Sequence, residues 1–205
     1  MKTLIIVDIQ NDFVPGGALA VKEGDEIVPR INELQPSFDL VVATQDWHPA
    51  DHGSFAVHHP GKKPGELIDL HGLTQVLWPV HCVQGTEGAA FVEELNTDQV
   101  EKVFVKGTDS SVDSYSGFFD NGRRNSTGLG DFLKEKGASE VYVVGLATDY
   151  CVKFTALDAA SLGYKTYLIE DACRGVELNP GDIDQALADM EAAGVRRISS
   201  KLILS

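Results

Sequence analysis

The chain alternates short apolar segments with helical patterns, and this alternation restricts its fold more than any other feature. Most of the apolar segments are nearly continuous runs of Val, Ile, Leu and Tyr, which is typical of strands covered on both faces. The six predicted strands are 4–7, 40–44, 103–105, 141–144, 166–169 and a weaker one at 195–199.

Helical patterns lie between these strands, at 26–34, 127–136, 150–162 and 180–193. Gly137, Gly163 and Gly194 follow three of them as predicted C-terminal stops. Alternation of strands and helices predicts a parallel sheet joined by right-handed crossovers, with helices on both faces. We therefore predict a three-layer, doubly wound α/β fold with a six-stranded parallel sheet in the order 3-2-1-4-5-6.

Length and composition limit the classes of protein that the chain can represent. With 205 residues and 43% hydrophobic content, it is predicted to form a single domain over residues 1–205. A formal charge of -14 argues against nucleic acid or an anionic membrane as a partner. The N-terminal apolar run is too short for a signal peptide, and three cysteines fit no disulfide framework, so we predict a cytoplasmic protein.

Four polar residues are predicted to meet at the carboxyl edge of the sheet, where ligands bind in open α/β folds. Asp8 ends the first strand, Asp46 follows the second, Lys106 ends the third, and Cys151 opens the helix after the fourth. A single charge at a strand end often marks only the point where a strand meets water. Convergence of four from separate strands favours a functional site.

Cys151 is a candidate nucleophile, because a thiol near a helix N-terminus lies in the positive end of the helix dipole and ionises more easily. Cys173 is interpreted as a small packing residue. A redox role for Cys151 is disfavoured, since no second cysteine is near it in sequence, although Cys82 could approach it in space.

A second group of residues has the chemistry of a metal site. Asp46 and His48 are two residues apart on an extended segment, so both can face one ion. Imidazole and carboxylate suit zinc, iron or manganese. Further histidines in the long connection 45–99 could complete the site, and we expect most of them to be exposed loop residues. They are His52, His58, His59, His71 and His81.

Five motifs, in this order, resemble those of the nicotinamidases, which belong to the isochorismatase-like cysteine hydrolases. The likeness runs from residue 1 to about residue 175 and continues loosely to the end. The motifs are Asp8-Ile9-Gln10-Asn11-Asp12-Phe13, Gln45-Asp46-Trp47-His48-Pro49, Trp78-Pro79-Val80-His81-Cys82, Val105-Lys106-Gly107 and Gly145-Leu146-Ala147-Thr148-Asp149-Tyr150-Cys151-Val152.

The resemblance implies a catalytic triad of Asp8, Lys106 and Cys151. It also implies one divalent metal ion held by Asp46, His48 and His81. Isochorismatases and N-carbamoylsarcosine amidases resemble the chain in fold and nucleophile but lack the Asp-x-His metal motif. Zinc is the favoured ion, with iron and manganese as alternatives, and water is favoured over His52 as the fourth ligand.

The resemblance further implies an oxyanion hole formed by the N–H groups of Ala147 and Cys151, with a cis peptide between Leu146 and Ala147. Asp8 would take the thiol proton, while Lys106 would favour the thiolate and keep Asp8 ionised. The metal would bind the pyridine nitrogen of the substrate and orient it. Candidates to enclose a flat ring are Phe13, Trp78 and Tyr115, for which ordinary core packing is the alternative.

The expected function is hydrolysis of nicotinamide to nicotinate and ammonia through a thioester on Cys151, in NAD salvage, with pyrazinamide as a surrogate substrate. The alternatives are another isochorismatase-like amidase and a non-catalytic domain that binds a metal or ligand. An intact set of Asp8, Lys106 and Cys151 argues against a pure binding module. A homo-oligomer is left open, because no exposed face shows an interface stripe.

Overall fold

The computed structural model describes residues 1–204 and has the predicted central sheet. Six parallel strands lie in the order β5-β2-β1-β6-β7-β8, which is the predicted order once a separate hairpin is set aside. The strands are β1 Lys2–Val7, β2 Leu40–Asp46, β3 Leu67–Leu70, β4 Leu73–Val76, β5 Val100–Lys106, β6 Glu140–Leu146, β7 Lys165–Arg174 and β8 Arg196–Ile198.

Helices cover both faces of the sheet, because alternate side chains of each strand point to opposite sides. Leu4 and Ile6 of β1 pack with α1, and Ile5 and Val7 pack with α2, α3 and α4. Ile203 of α5 packs on the α1 side. The helices are α1 Val28–Leu34, α2 Leu129–Lys136, α3 Lys153–Ser161, α4 Asp182–Ala192 and α5 Lys201–Leu204.

The predicted helix ends are confirmed where glycine stops them. Gly137 caps α2 at φ 73°, and Gly163 and Gly194 follow α3 and α4 at φ 90° and 89°. This left-handed conformation costs glycine little, because it has no Cβ. Among residues 1–204, no helix combines the length and the apolar character that a bilayer crossing requires.

One sequence-based expectation about the strands is wrong, and one pair of strands was not predicted. Val103 and Val105 of β5 are 38% and 43% exposed, while Phe104 and Lys106 between and after them are buried. β5 is an edge strand with one face uncovered, so it alternates instead of being buried on both faces. The long connection 45–99 contains the antiparallel hairpin β3–β4, whose turn at His71 and Gly72 has positive φ at both residues.

Strand register places the carboxyl ends of the central strands side by side. Val7 of β1 lies opposite Thr44 and Gly145, and Asp46 of β2 lies opposite Lys106 of β5. After β6, residues Thr148–Val152 form one π-helical turn that runs directly into α3. The ends of four neighbouring strands therefore surround one volume.

Candidate active site and metal centre

The four residues predicted at the strand ends do meet. Asp8, Asp46, Lys106 and Cys151 are all buried, with no more than 7% of any residue exposed. Asp8, Asp46 and Cys151 offer ligand atoms that lie within 4.8 Å of one another. The structure therefore brings these side chains into one buried cluster.

The ammonium group of Lys106 lies at the centre of this cluster. Its Nζ is 2.9 Å from Asp8 Oδ2 and 3.3 Å from Cys151 Sγ, and it donates to Asp46 Oδ1. It also donates to the backbone carbonyl of Ser114 at 3.0 Å. Burial favours the neutral amine, but the two carboxylates outweigh it and raise the pKa of Lys106 well above its usual value. Lys106 is therefore a fixed positive charge.

The thiol of Cys151 does not ionise as readily as its place near a helix predicted. Burial raises the pKa of Cys151 well above its ordinary value, although Lys106 acts in the opposite direction. Burial also raises the pKa of Asp8, against Lys106 and the hydroxyl of Thr44, which donates to Asp8 Oδ1 at 2.7 Å. The sulfur is thus a resting thiol beside a carboxyl group of increased proton affinity.

Asp46, His48 and His81 form a buried group that fits a divalent metal. Nε2 of His48 and Nε2 of His81 lie 3.5 and 3.8 Å from the same oxygen of Asp46. Their Nδ1 atoms lie 2.9 Å from the Gly107 carbonyl and 2.8 Å from the Pro79 carbonyl. Metal-binding histidines typically donate one nitrogen to a carbonyl in this way, which leaves the other as the ligand.

The two histidines of this group differ in their electrostatics, since burial would lower the pKa of His48 but Asp46 outweighs it and raises that pKa. Burial, with His48 close by, lowers the pKa of His81 to about 4, so its ring is neutral and has a free lone pair at physiological pH. Lys106 and the histidines hold the pKa of Asp46 far below its usual range, against the effect of burial. Asp46 is therefore a carboxylate shared between the ammonium and the histidines.

The backbone at Gly107 lets His48 reach this position. Gly107 has φ 65°, and a Cβ built on it would lie 2.4 Å from Cε1 and 2.6 Å from Nδ1 of His48. Only glycine accommodates both the left-handed conformation and this close approach. The Val105-Lys106-Gly107 motif thus contributes Lys106 to the cluster around Cys151 and Gly107 to the metal-binding group.

His52 lies beside the group of Asp46, His48 and His81 and contacts its own loop. Its Nδ1 lies 2.7 Å from the hydroxyl of Ser54, and its ring lies 4.3 Å from that of His48. His52 also forms a second buried group with His48 and Asp113. Of the remaining histidines, His58 and His71 are exposed and His59 is half-buried.

An aromatic cavity adjoins Cys151 and the metal-binding group. Phe13, Trp78 and Tyr115, the candidates to enclose a flat ring, all line it, and its volume is about 30 Å³. The Trp78 indole donates to the Tyr115 hydroxyl at 3.2 Å, and the Phe13 ring lies 5.5 Å from that of His81. Tyr150 adds a fourth ring, at right angles to Trp78 and 4.9 Å from it.

The segment expected to supply the oxyanion hole has the expected backbone form. The peptide between Leu146 and Ala147 is cis. The Ala147 carbonyl accepts hydrogen bonds from Tyr150 N–H and Val152 N–H, both at 3.1 Å, which tightens the turn that holds Cys151. Ala147 and Cys151 both line the aromatic cavity.

Several residues of the site were not found from the sequence. Tyr150 could have been, because it adjoins Cys151 in its motif. Thr44 donates to Asp8 and Gln75 donates to the Tyr115 hydroxyl, partners 36 and 40 positions away in the sequence. Patterns in a single sequence carry no signal for contacts over such distances. Asp12, whose carboxylate accepts the N–H of Cys82 at 2.7 Å, fixes the corner that follows His81.

A six-stranded doubly wound sheet with a cysteine, a lysine and an aspartate buried at its carboxyl edge defines the class of isochorismatase-like cysteine hydrolases. The chain belongs to this family, because the isochorismatase domain model matches residues 2–201.

Known relatives and solved structures show which members of this family the chain is similar to. A nicotinamidase of Escherichia coli is 52% identical over 197 residues, which cover 94% of this chain and 92% of the relative. The structure of a nicotinamidase/pyrazinamidase of Acinetobacter baumannii has a TM-score of 0.97 at 51% identity, covering 99% of this chain and 98% of that one. The pyrazinamidase of Pyrococcus horikoshii in complex with zinc has a TM-score of 0.78 at 40% identity, covering 97% and 98%.

Proposed function

We propose that the chain is a metal-dependent cysteine amidase that hydrolyses nicotinamide to nicotinate and ammonia in NAD salvage, with pyrazinamide as a surrogate substrate. The observation that carries this proposal is the contact of Lys106 with both Asp8 and Cys151, beside a metal-binding group and an aromatic cavity. Its nicotinamidase relatives cover nearly the whole chain.

Acylation begins with transfer of the Cys151 thiol proton to Asp8. The sulfur forms a bond with the amide carbon, and the carbonyl oxygen becomes an oxyanion that accepts hydrogen bonds from Ala147 and Cys151 N–H. Asp8 then gives the proton to the amide nitrogen. The C–N bond breaks, ammonia leaves, and the acyl group remains on sulfur as a thioester.

Deacylation uses the same carboxylate. Asp8 removes a proton from water, the oxygen attacks the thioester carbon, and the C–S bond breaks. The proton returns to sulfur, which restores the thiol and releases the carboxylic acid. A raised pKa suits Asp8 to this repeated acceptance and return of one proton.

Lys106 stabilises the sulfur when it becomes negative. Its ammonium lies 3.3 Å from Sγ and is held in place by the Ser114 carbonyl and both carboxylates. The charge therefore needs no rearrangement when the thiol proton leaves.

Asp46, His48 and His81 would hold one divalent metal, for which zinc is favoured over iron and manganese. When bound, it supplies a Lewis-acid site for the pyridine nitrogen, so its contribution is orientation. We expect water rather than His52 as the fourth ligand, since His52 is not a member of the group formed by Asp46, His48 and His81. Phe13, Trp78 and Tyr115 would contact the ring faces and edges of the substrate.

The substrate is a small neutral amide, and a homo-oligomer remains open. The cytoplasm is our predicted compartment, because Cys82, Cys151 and Cys173 are free buried thiols within the part of the chain described.

Replacement of Cys151 by alanine tests the proposal. We expect ammonia release from nicotinamide to fall to background, because no sulfur remains to form the thioester. Cys173→Ala is the matched control, since that thiol is also buried but bonds to the Ile169 carbonyl in β7. The measurement is ammonia release with circular dichroism on both variants. An active, folded Cys151→Ala enzyme would falsify the nucleophile assignment.

A further inference from the structure

Gln10 is buried and polar, and the reaction above does not use it. It lies two residues after Asp8 in the first motif, and none of its surface is exposed. Its amide makes three hydrogen bonds, and two of them go to the backbone of one residue, Asp46. The third goes to the carbonyl of Ala89 at 2.8 Å.

The Gln10 amide occupies the place of a strand partner for Asp46. β1 pairs with β2 as far as Val7 opposite Thr44, two residues before Asp46. Beyond that point, Gln10 Nε2 donates to the Asp46 carbonyl at 2.9 Å, and Gln10 Oε1 accepts Asp46 N–H at 2.8 Å. On its other side, Asp46 lies opposite Lys106 in β5. The backbone of Asp46 is thus held from both sides.

The orientation of Asp46 matters because its two carboxylate oxygens have different partners. Oδ1 accepts from Lys106, and Oδ2 faces Nε2 of both His48 and His81. An aspartate side chain is short, so the direction of its carboxylate follows closely from its backbone. A rotation of the Asp46 peptide would turn Oδ2 away from the histidines.

We propose that Gln10 is a positioning residue that sets the affinity of the site for its divalent metal through the backbone of Asp46. The inference rests on the metal site of the proposed function. Partners that orient metal ligands typically contribute a factor of about 10 to 100 in metal affinity or activity. Gln10 acts on the peptide of a ligand rather than on the ligand atoms.

Gln10→Met tests this inference, because methionine matches glutamine in length and charge but makes none of the three hydrogen bonds. Gln45→Met is the matched control, since the Gln45 amide also donates to the Ala89 carbonyl, at 2.7 Å. The metal-free proteins are titrated with zinc against a chromophoric chelator, in the absence of substrate. We expect zinc affinity to fall about 10- to 100-fold in Gln10→Met and less than about threefold in Gln45→Met.

Gln10→Asn provides a second variant in case Gln10→Met does not fold. It keeps a polar amide, but the side chain is one methylene shorter and no longer spans both backbone groups of Asp46. We expect weaker zinc binding here too, with kcat for nicotinamide recovering as free zinc is raised. A purely structural role would leave kcat low at every zinc concentration.

Zinc affinity within about threefold of wild type in the folded Gln10 variants would overturn the inference, as would an equal loss in Gln45→Met. Because zinc binding is measured without substrate, either result leaves nicotinamide hydrolysis by the wild-type enzyme standing. Conversely, a wild-type enzyme that releases no ammonia would overturn the proposed function but not a zinc-binding loss in Gln10→Met.

Discussion

Lys106 is shared by three groups, and its removal would affect all of them. Its single positive charge faces the carboxylates of Asp8 and Asp46 as well as the sulfur of Cys151. Loss of this charge would leave carboxylates buried without compensation, which is strongly unfavourable. Arginine is a poor replacement, because its planar fork cannot direct protons to three partners around one nitrogen.

Thr44→Val tests how the base is held. The Thr44 hydroxyl donates to Asp8 Oδ1, which leaves Oδ2 beside Lys106. Hydrogen bonds to charged groups contribute about 1.5–3 kcal/mol, so we expect kcat for nicotinamide to fall at least about tenfold with little change in KM. Steady-state kinetics give both values. Thr44→Ser keeps the hydroxyl and should stay near wild type; a change confined to KM would contradict this role.

Gly107→Ala should displace His48. The added methyl group would meet the imidazole at 2.4 Å, in addition to the strain of a positive φ. We expect zinc affinity to fall at least about tenfold, as measured by chelator competition. Gly137→Ala has nearly the same φ but open space around its Cβ, so it is the control for backbone strain alone. Equal zinc affinity in the two variants would contradict the close approach.

The site residues that could be predicted from the sequence are those at strand ends. Asp8, Asp46, Lys106 and Cys151 each follow an apolar run, and parallel strands bring their carboxyl ends together. The pKa of Cys151 could not be predicted, because it depends on the depth of burial rather than on the helix that follows. The resemblance supplied His81, which lies outside the central sheet.

At the scale of the elements, the sheet and its strand order could be predicted from the alternation of apolar segments with helical patterns. The exposed face of the edge strand and the hairpin could not. The apolar run 103–105 predicts a strand covered on both faces, yet β5 is an edge strand with one exposed face. Position in the sheet depends on pairing with distant strands, which an isolated segment does not encode. The β3–β4 hairpin was missed because its strands, LIDL and LTQV, mix polar with apolar residues and so lack a continuous apolar run.

A carboxylate in β7 anchors the start of α5. Asp171 accepts hydrogen bonds from the N–H and the hydroxyl of Ser200, at 2.7 and 2.6 Å. Partial burial tends to raise the pKa of Asp171, but the bonds from Ser200 outweigh it and lower the pKa. A carboxyl group whose pKa is lower in the folded state stabilises the fold at pH values above its pKa in the unfolded state. This stabilisation is lost as the pH falls through its pKa in the folded state.

Asp171→Asn should therefore lower Tm at pH 7 by about 2–4 °C, the equivalent of ~1 kcal/mol. The difference from wild type should narrow below the usual aspartate pKa of 3.8, where the native carboxylate also becomes protonated. Thermal melts across this pH range check it. Ser200→Ala should remove the same contact. The decrease in Tm of the double variant should therefore be smaller than the sum of the decreases in the two single variants. A pH-independent difference would argue against the carboxylate.

At the scale of the whole molecule, metal binding should stabilise the fold, because the ligands lie far apart in the sequence. Asp46 ends β2, and His81 lies far along the next connection, so the group forms only when the chain is folded. At free zinc 100 times its Kd, linkage predicts about 2.7 kcal/mol of added stability. For a chain of this size, Tm should rise by roughly 5–10 °C.

Thermal melts of chelator-treated protein, with and without zinc, measure this shift. His48→Ala removes one ligand, so this variant should lose most of the zinc-induced rise in Tm. An equal rise in His48→Ala would show that zinc stabilises the protein from another place.

The narrow aromatic cavity has a consequence for how ligands arrive. Its volume of about 30 Å³ holds roughly two water molecules, far less than a pyridine ring needs. Leu19, Val21 and Val176 form apolar walls beside Cys151, and we expect these walls to move apart when a ring enters. We therefore expect the association rate of such ligands to be limited by motion of these walls rather than by diffusion. Inhibitors that fill this pocket should therefore bind with slow onset.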